Sequence, residues 1–112
     1  MNSRFLAETF IEYFCKADVN GIDSLLASNF RFTGPLFEFS TKRAYIESLQ
    51  GSLEADPDAT ILGVVGGGAE AAAFYRYKGN TIGQWFRCDE GKIHETLVVF
   101  DARQVSDPPI QQ

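Results

Sequence analysis

ATILGVVGGGAEAAAFYRYKGNTIGQWFRCDEGKIHETLVVFD, residues 59–101, is built from four runs rich in β-branched and aromatic side chains. The first three runs end at Gly66-Gly67-Gly68, at Gly79-Asn80 and at Glu90-Gly91. Glycine accepts the positive φ that tight hairpin turns require, so runs punctuated this way predict a meander of antiparallel strands. The same stretch contains G-x-G-x-x-A in GVVGGGAEAAAF, which a dinucleotide-binding turn also uses. That turn must open a helix whose N-terminus holds the pyrophosphate. AAAFYRYKGNTIGQWF has too many aromatic and β-forming residues for such a helix, so a hairpin is expected there.

The residues before this stretch read differently. Over residues 3–17, Leu6, Phe10, Tyr13, Phe14 and Ala17 recur at three- and four-residue spacing, which predicts one face of a helix with Asn2 or Ser3 as its cap. Asn20 is the expected cap of a second, short helix with Ile22, Leu25 and Leu26 inward. A third helix follows Ser40 or Thr41, carries Ala44, Tyr45, Ile46 and Leu49, and is expected to stop at Gly51. Between them, FRFTGPLFEF alternates aromatic with polar residues around Gly34-Pro35. A proline is excluded from a central strand, so this segment is an edge or a bent rim. The fold class is therefore α+β: three N-terminal helices packed on a curved, mainly antiparallel sheet of about four to six strands. One domain is expected over residues 1–103, with a polar tail over 104–112.

Totals exclude several functions. A net charge of -5 at pH 7 argues against nucleic acid or an anionic membrane as partner. No apolar run approaches the roughly 20 residues of a membrane span. The start, MNSRFLAETFIEYF, lacks the basic-then-apolar order of a signal peptide, so a cytoplasmic protein is expected. Cys15 and Cys88 are far apart and His94 is the single histidine. They form no metal-binding pattern, and neither a metal nor a cofactor is expected.

Four features carry a resemblance: FIEYF in the first helix, VNGIDSLLASNF leading into a strand, Gly34-Pro35 before the third helix, and DEGKIHETLVVFD as last hairpin and strand. Together they resemble the SnoaL-like and ketosteroid-isomerase-like group of the nuclear transport factor 2-like (cystatin-like cone) superfamily. The resemblance implies a pocket between the helices and the concave face of the sheet. Strand alternation then gives an inward set: Ala73, Tyr75 and Tyr77; Gln84, Phe86 and Cys88; His94, Thr96, Val98 and Phe100. Tyr13, Phe32, Phe37 and Tyr45 join it from the helices and the rim. A one-residue slip at Glu90-Gly91 exchanges the last set for Ile93, Glu95, Leu97 and Val99. These rings either line a cavity or simply fill the core.

The resemblance also assigns chemistry, with departures. Tyr13 corresponds to a helix-1 tyrosine that donates a hydrogen bond to a developing oxyanion in ketosteroid isomerases. Gln84 stands where that group has a second donor, a protonated acid. The catalytic base, an Asp before Pro, is replaced by Gly34, and Glu38 is the nearest carboxylate. Limonene-epoxide-hydrolase-like members place an acid where this chain has Val98, and carry an Arg and an Asp on the strand that Tyr75 and Tyr77 occupy here. His94 is either a proton-transfer group or a strand residue bonded to a neighbour such as Thr96. Two functions follow: an isomerase- or cyclase-like enzyme acting on a small apolar carbonyl or cyclic compound, in which Tyr13 and Gln84 polarise an oxygen and His94 or Glu38 moves the proton, or a non-catalytic module that binds a small apolar or aromatic molecule or serves dimerisation, having kept the fold and lost the acid–base residues. Phe74, Arg76, Trp85 and Arg87 alternate outward on the sheet, and large apolar groups there point to a homodimer.

Overall fold

The computed structural model describes residues 2–101. The polar tail over 104–112 lies outside the described residues. Three helices, α1 (Ser3–Cys15), α2 (Val19–Leu25) and α3 (Lys42–Ser52), pack on a six-stranded sheet. Its strands are β1 (Leu26–Thr33), β2 (Glu38–Phe39), β3 (Thr60–Gly67), β4 (Glu70–Tyr77), β5 (Asn80–Asp89) and β6 (Lys92–Val99), in the order β2-β1-β6-β5-β4-β3. The β1–β6 pair is parallel and the others are antiparallel, so the sheet is mixed. This is the expected α+β architecture.

Local chemistry sets the helix ends. Asn2 caps α1 by accepting from the Phe5 N–H at 2.8 Å. The helix ends at Cys15, two residues short of the expected Ala17, because Ala17 takes φ 57°. The Asp18 N–H then reaches back to the Tyr13 carbonyl at 2.9 Å and the Ala17 N–H to Phe14 at 3.1 Å, a Schellman closure. This reversal puts Asp18, not Asn20, at the start of α2, where its carboxylate accepts from the Gly21 N–H at 2.9 Å. Thr41 caps α3. Gly51 does not end α3; the chain leaves at Leu53 with φ -73°, so no left-handed residue is needed there.

The core lies between α1 and the concave face of β4, β5 and β6. Phe10 is fully buried and meets buried Phe86 edge-on at 5.4 Å between ring centres. Burying a ring of this size is worth about 1.5–3 kcal/mol. Ser3 is also buried and donates to the Glu70 carbonyl at 2.8 Å, tying the start of α1 to the β3–β4 turn. The G-x-G-x-x-A stretch is that turn, with Gly68 at φ 63° and Gly67 paired to Glu70. No helix follows it, so the phosphate-binding alternative has no structural basis.

Two further hairpins turn through Lys78-Gly79 and Glu90-Gly91, with φ of 52° and 81°, then 51° and 74°. Positive φ at both central residues is the type I′ hairpin, whose twist matches that of the strands. Just beyond Glu90-Gly91 the register shifts: Cys88 faces Ile93, but Arg87 faces Glu95. His94 is the extra residue of a β-bulge. Both Ile93 and Thr96 are therefore buried, followed by Val98. Neither expected β6 set is correct throughout; the first holds from Thr96 onward, and Ile93 replaces His94 on the inward face.

Glu90 is exposed and occupies a left-handed conformation that an asparagine adopts more readily. Glu90→Asn should raise stability by about 0.5–1 kcal/mol in urea denaturation. An unchanged or lower midpoint would show that this turn carries no strain.

Candidate functional site

The helices do not cover the whole concave face. Toward the C-terminal end of α3 they leave a cavity of about 560 Å³, within the size range of small-molecule pockets. Phe14 enters it from α1, and Tyr45, Ser48, Leu49 and Ser52 from α3, with Leu53 following. Phe32, Leu36, Phe37 and Phe39 form one side, from β1, β2 and the turn between them. The sheet contributes Tyr75, Tyr77, Ile82, Gln84 and Val98, with Phe100 beyond β6 and Lys78 and Asn80 at the β4–β5 hairpin. The rings contact one another: Phe32 stacks on Tyr45 at 4.9 Å, and Phe14 lies 5.0 Å from Tyr77.

One chain of hydrogen bonds crosses the floor. The Tyr75 hydroxyl donates to Gln84 Oε1 at 2.8 Å, and Gln84 Nε2 donates to Thr96 Oγ1 at 2.8 Å. Thr96 Oγ1 donates to the Trp85 carbonyl at 2.8 Å. All three side chains are buried, at 2%, 3% and 0% exposure. The direction of the chain is fixed by its end, because a carbonyl can only accept. Thr96 must donate to Trp85, so it accepts from Gln84, whose carbonyl oxygen then faces Tyr75. Burial raises the Tyr75 and Tyr45 hydroxyls well above the ordinary tyrosine value, so both are neutral at physiological pH. Burial also pushes the Cys88 thiol up to about 11.

Several expected site residues are elsewhere. Tyr13 is half-buried beside α2 and does not line the cavity. A Cβ on Gly21 would stand 2.8 Å from Tyr13 Cδ2, so this ring occupies the space left by the glycine. The α1 stripe runs Ser3, Leu6, Ala7, Phe10, Ile11, and its continuation at three residues is Phe14, not Tyr13. His94 stands at the bulge, half-buried and outside the cavity. Phe86 and Thr96 are inward but lie behind the cavity wall in the core. Glu38 is exposed on β2 and does not line the cavity. At Gly34, where the resemblance led to the expectation of a base, the N–H donates to the Phe37 carbonyl at 2.9 Å. A Cβ there would come within 3.0 Å of Phe32 Cε1, so the ring stands where an acidic side chain would begin.

Phe14, Leu36, Phe39, Ser48, Leu49, Ser52, Leu53, Lys78, Asn80 and Ile82 line the cavity without having been expected there. A helix-1 phase drawn through Ser3 and Ala7 would have found Phe14. Alternation extended back from Gln84 would have found Ile82. Lys78 at the mouth pairs with Glu54, and its backbone N–H donates to Asp56 Oδ2 at 2.6 Å. Among the described residues no three His, Cys, Asp or Glu side chains converge to hold a metal ion.

The opposite face of the sheet is apolar in its middle. Cross-strand partners place Val65, Ala72, Trp85 and Leu97 in one row, and Gly63, Phe74, Gly83 and Val99 in the next. Val65, Phe74 and Val99 are 62%, 49% and 55% exposed. A charged row borders the band: Glu70, Arg87, Glu95 and Arg31. Both arginines reach Glu95 Oε1 at 3.4 Å, and Trp85 Nε1 donates to Glu70 at 2.9 Å.

Thr96→Val keeps the shape of the side chain but leaves the Gln84 amide without its acceptor in a buried site. An unpaired buried polar group costs about 1–3 kcal/mol. Thr96→Val should lose that much in chemical denaturation, and Thr96→Ser should keep most of the stability. Equal stability of Thr96→Val and the parent would dissolve the chain described above.

The comparisons with known proteins agree with this fold. No curated protein matches the sequence significantly. Among solved structures, a nuclear transport factor 2-like protein of unknown function from Cytophaga hutchinsonii superposes with a TM-score of 0.78 at 19% identity, covering 91% of this chain and 92% of the other. An LEH-like epoxide hydrolase from M. tuberculosis gives 0.71 at 15% identity, covering 88% and 78%. A SnoaL-like protein of unknown function from Burkholderia thailandensis gives 0.68 at 20%, covering 85% and 90%. At these identities the likeness is one of fold. The model of the SnoaL-like domain matches residues 7–96, most of the chain, and the chain belongs to that family.

Proposed function

We propose that this chain binds a small, mainly apolar cyclic or aromatic molecule in the cavity between α1, α3 and the sheet, without converting it. The observation that carries this reading is the lining itself: among the described residues it has eight aromatic side chains and no carboxylate or imidazole. A general base must come within hydrogen-bond reach of the proton it takes. Glu38 and His94 both stand outside the cavity, and Gly34 offers no side chain. The tyrosine hydroxyls are held neutral by burial and serve as hydrogen-bonding groups rather than bases. Rings supply affinity in such a site and a few polar groups set orientation; Gln84 and Tyr75 are proposed for that role. The isomerase- or cyclase-like alternative keeps Gln84 as a donor to a substrate oxygen but lacks its proton acceptor.

N-phenyl-1-naphthylamine, an uncharged fluorophore that brightens in apolar surroundings, tests the reading. Saturable binding at one site per chain is expected. Val98→Phe and, independently, Ile82→Phe fill the cavity and should weaken it by about tenfold or more, equivalent to about 1.4 kcal/mol. Tyr13→Phe and His94→Gln should bind within about twofold of the parent, well under that threshold. Binding insensitive to both filling variants, or a tenfold loss in His94→Gln, overturns the assignment.

The apolar band on the opposite face is proposed as a homodimer interface, with Phe74 and Trp85 at its centre and Arg76 and Arg87 at its border. Exposed apolar groups of this size, rimmed by charge, are the pattern of a protein interface. Light scattering at micromolar concentration should give twice the 12.4 kDa chain mass, and Phe74→Glu should return the single-chain value. A parent protein of single-chain mass would contradict the interface.

A further inference from the structure

Among the described residues, five hydroxyl-bearing side chains line the cavity, and four of them spend their hydrogens inside the protein. Ser48 donates to the Tyr45 carbonyl at 2.6 Å and Ser52 to the Ser48 carbonyl at 2.8 Å, both along α3. Tyr75 donates to Gln84 Oε1 at 2.8 Å, and Tyr77 to the Glu54 carbonyl. The fifth is Tyr45. Its side chain is 3% exposed and packs against three rings, with Phe32 stacked at 4.9 Å and Phe30 and Phe39 tilted at 5.2 and 5.9 Å. Those contacts bury the ring, yet the hydroxyl has no hydrogen-bond partner among the described residues. A buried polar group without a partner is uncommon in folded proteins and calls for an explanation. The Tyr45 side chain lines the cavity, so the cavity is where a partner can stand.

We propose that Tyr45 is the donor that anchors the ligand, and that the ligand carries a neutral acceptor oxygen, a hydroxyl or a carbonyl, on its apolar ring. This inference rests on the pocket reading above and adds to it a polar group on α3. Such an oxygen accepts the one hydroxyl hydrogen of the lining that the protein leaves unspent. A hydrocarbon of the same shape fills the cavity but leaves that hydrogen unpaired. A carboxylate also accepts, but it loses its hydration among aromatic walls. Lys78, the one cation of the lining among the described residues, is already paired with Glu54 and does not offset that loss. The donor is held in place before any ligand arrives. Thr41 caps its helix, Ser48 bonds the Tyr45 carbonyl, and the three phenylalanine rings hold the side chain. A group fixed in advance in this way loses little freedom when the ligand binds.

Displacement titrations against N-phenyl-1-naphthylamine at neutral pH, on the parent and on Tyr45→Phe, test the assignment. 2-Naphthol and 2-acetonaphthone carry the oxygen, and 2-methylnaphthalene matches naphthol in shape without it. Removing the Tyr45 hydroxyl should weaken both oxygen-bearing compounds about fivefold or more and leave 2-methylnaphthalene within about twofold. The thermal midpoint of Tyr45→Phe should stay at or above that of the parent, because the hydroxyl has no protein partner to lose. In the parent, 2-naphthoate should bind more weakly than 2-naphthol. Oxygen-bearing compounds that lose no more than 2-methylnaphthalene give the oxygen to another group, Gln84 among them, and overturn the assignment while the pocket stands. A clearly lower midpoint shows the hydroxyl spent inside the protein and overturns it equally. Tightest binding by 2-naphthoate overturns the neutral ligand class. Failure of both 2-methylnaphthalene and the fluorophore to bind overturns the pocket and the assignment together.

Discussion

One inserted residue in the last strand decides which side chains face the helices. Side chains on a strand alternate, so a shift of one residue sends a whole set to the other face. The bulge at His94 makes that shift once, between Ile93 and Thr96. It lets Ile93 join the core beside Leu26 and Cys88 and still puts Thr96 and Val98 inward. Thr96 is then placed to receive the Gln84 amide, and Val98 to line the cavity. Without the extra residue, either Ile93 or the Thr96–Val98 pair would face water, and the polar chain across the floor would have no terminus.

That polar chain explains how a buried amide and phenol are tolerated beneath an aromatic cavity. Each costs free energy unless paired. Tyr75, Gln84 and Thr96 satisfy one another in sequence and discharge the last donor onto the backbone at Trp85. The arrangement fixes the orientation of Gln84 without reference to any ligand. It also sets apart the two buried tyrosines of the cavity: the Tyr75 hydrogen is committed to Gln84, whereas the Tyr45 hydroxyl has no hydrogen-bond partner among the described residues. The residues that the resemblance singled out for catalysis are dispersed instead. Tyr13 fills the notch at Gly21, His94 makes the bulge, and the Phe32 ring closes on Gly34.

Much of the fold was legible because its signals are local. Glycines at the hairpins, a cap residue before α3 and aromatic alternation in β4 and β5 each state their own conformation. The inward phase of Tyr75, Gln84 and Phe86 followed from period two once the family's pattern said which face is concave. What sequence reasoning missed has specific causes. In FIEYF both Tyr13 and Phe14 are aromatic, and the choice between them rests on Ser3 and Ala7, small residues whose burial carries no hydrophobic signal. The bulge uses a histidine rather than a glycine, so nothing in KIHETLVV announces it. Asp18 displaced Asn20 as a cap because Ala17 takes a left-handed conformation that alanine rarely adopts. The cavity itself is a long-range property: it exists because α3 ends before it covers the hairpin end of the sheet.

A crystal structure of the protein soaked with 2-naphthol tests the central claim most directly. The account predicts the ring inside the cavity, among Phe14, Phe32 and Val98. A naphthol bound only on the outer face, against Phe74 and Trp85, would contradict it.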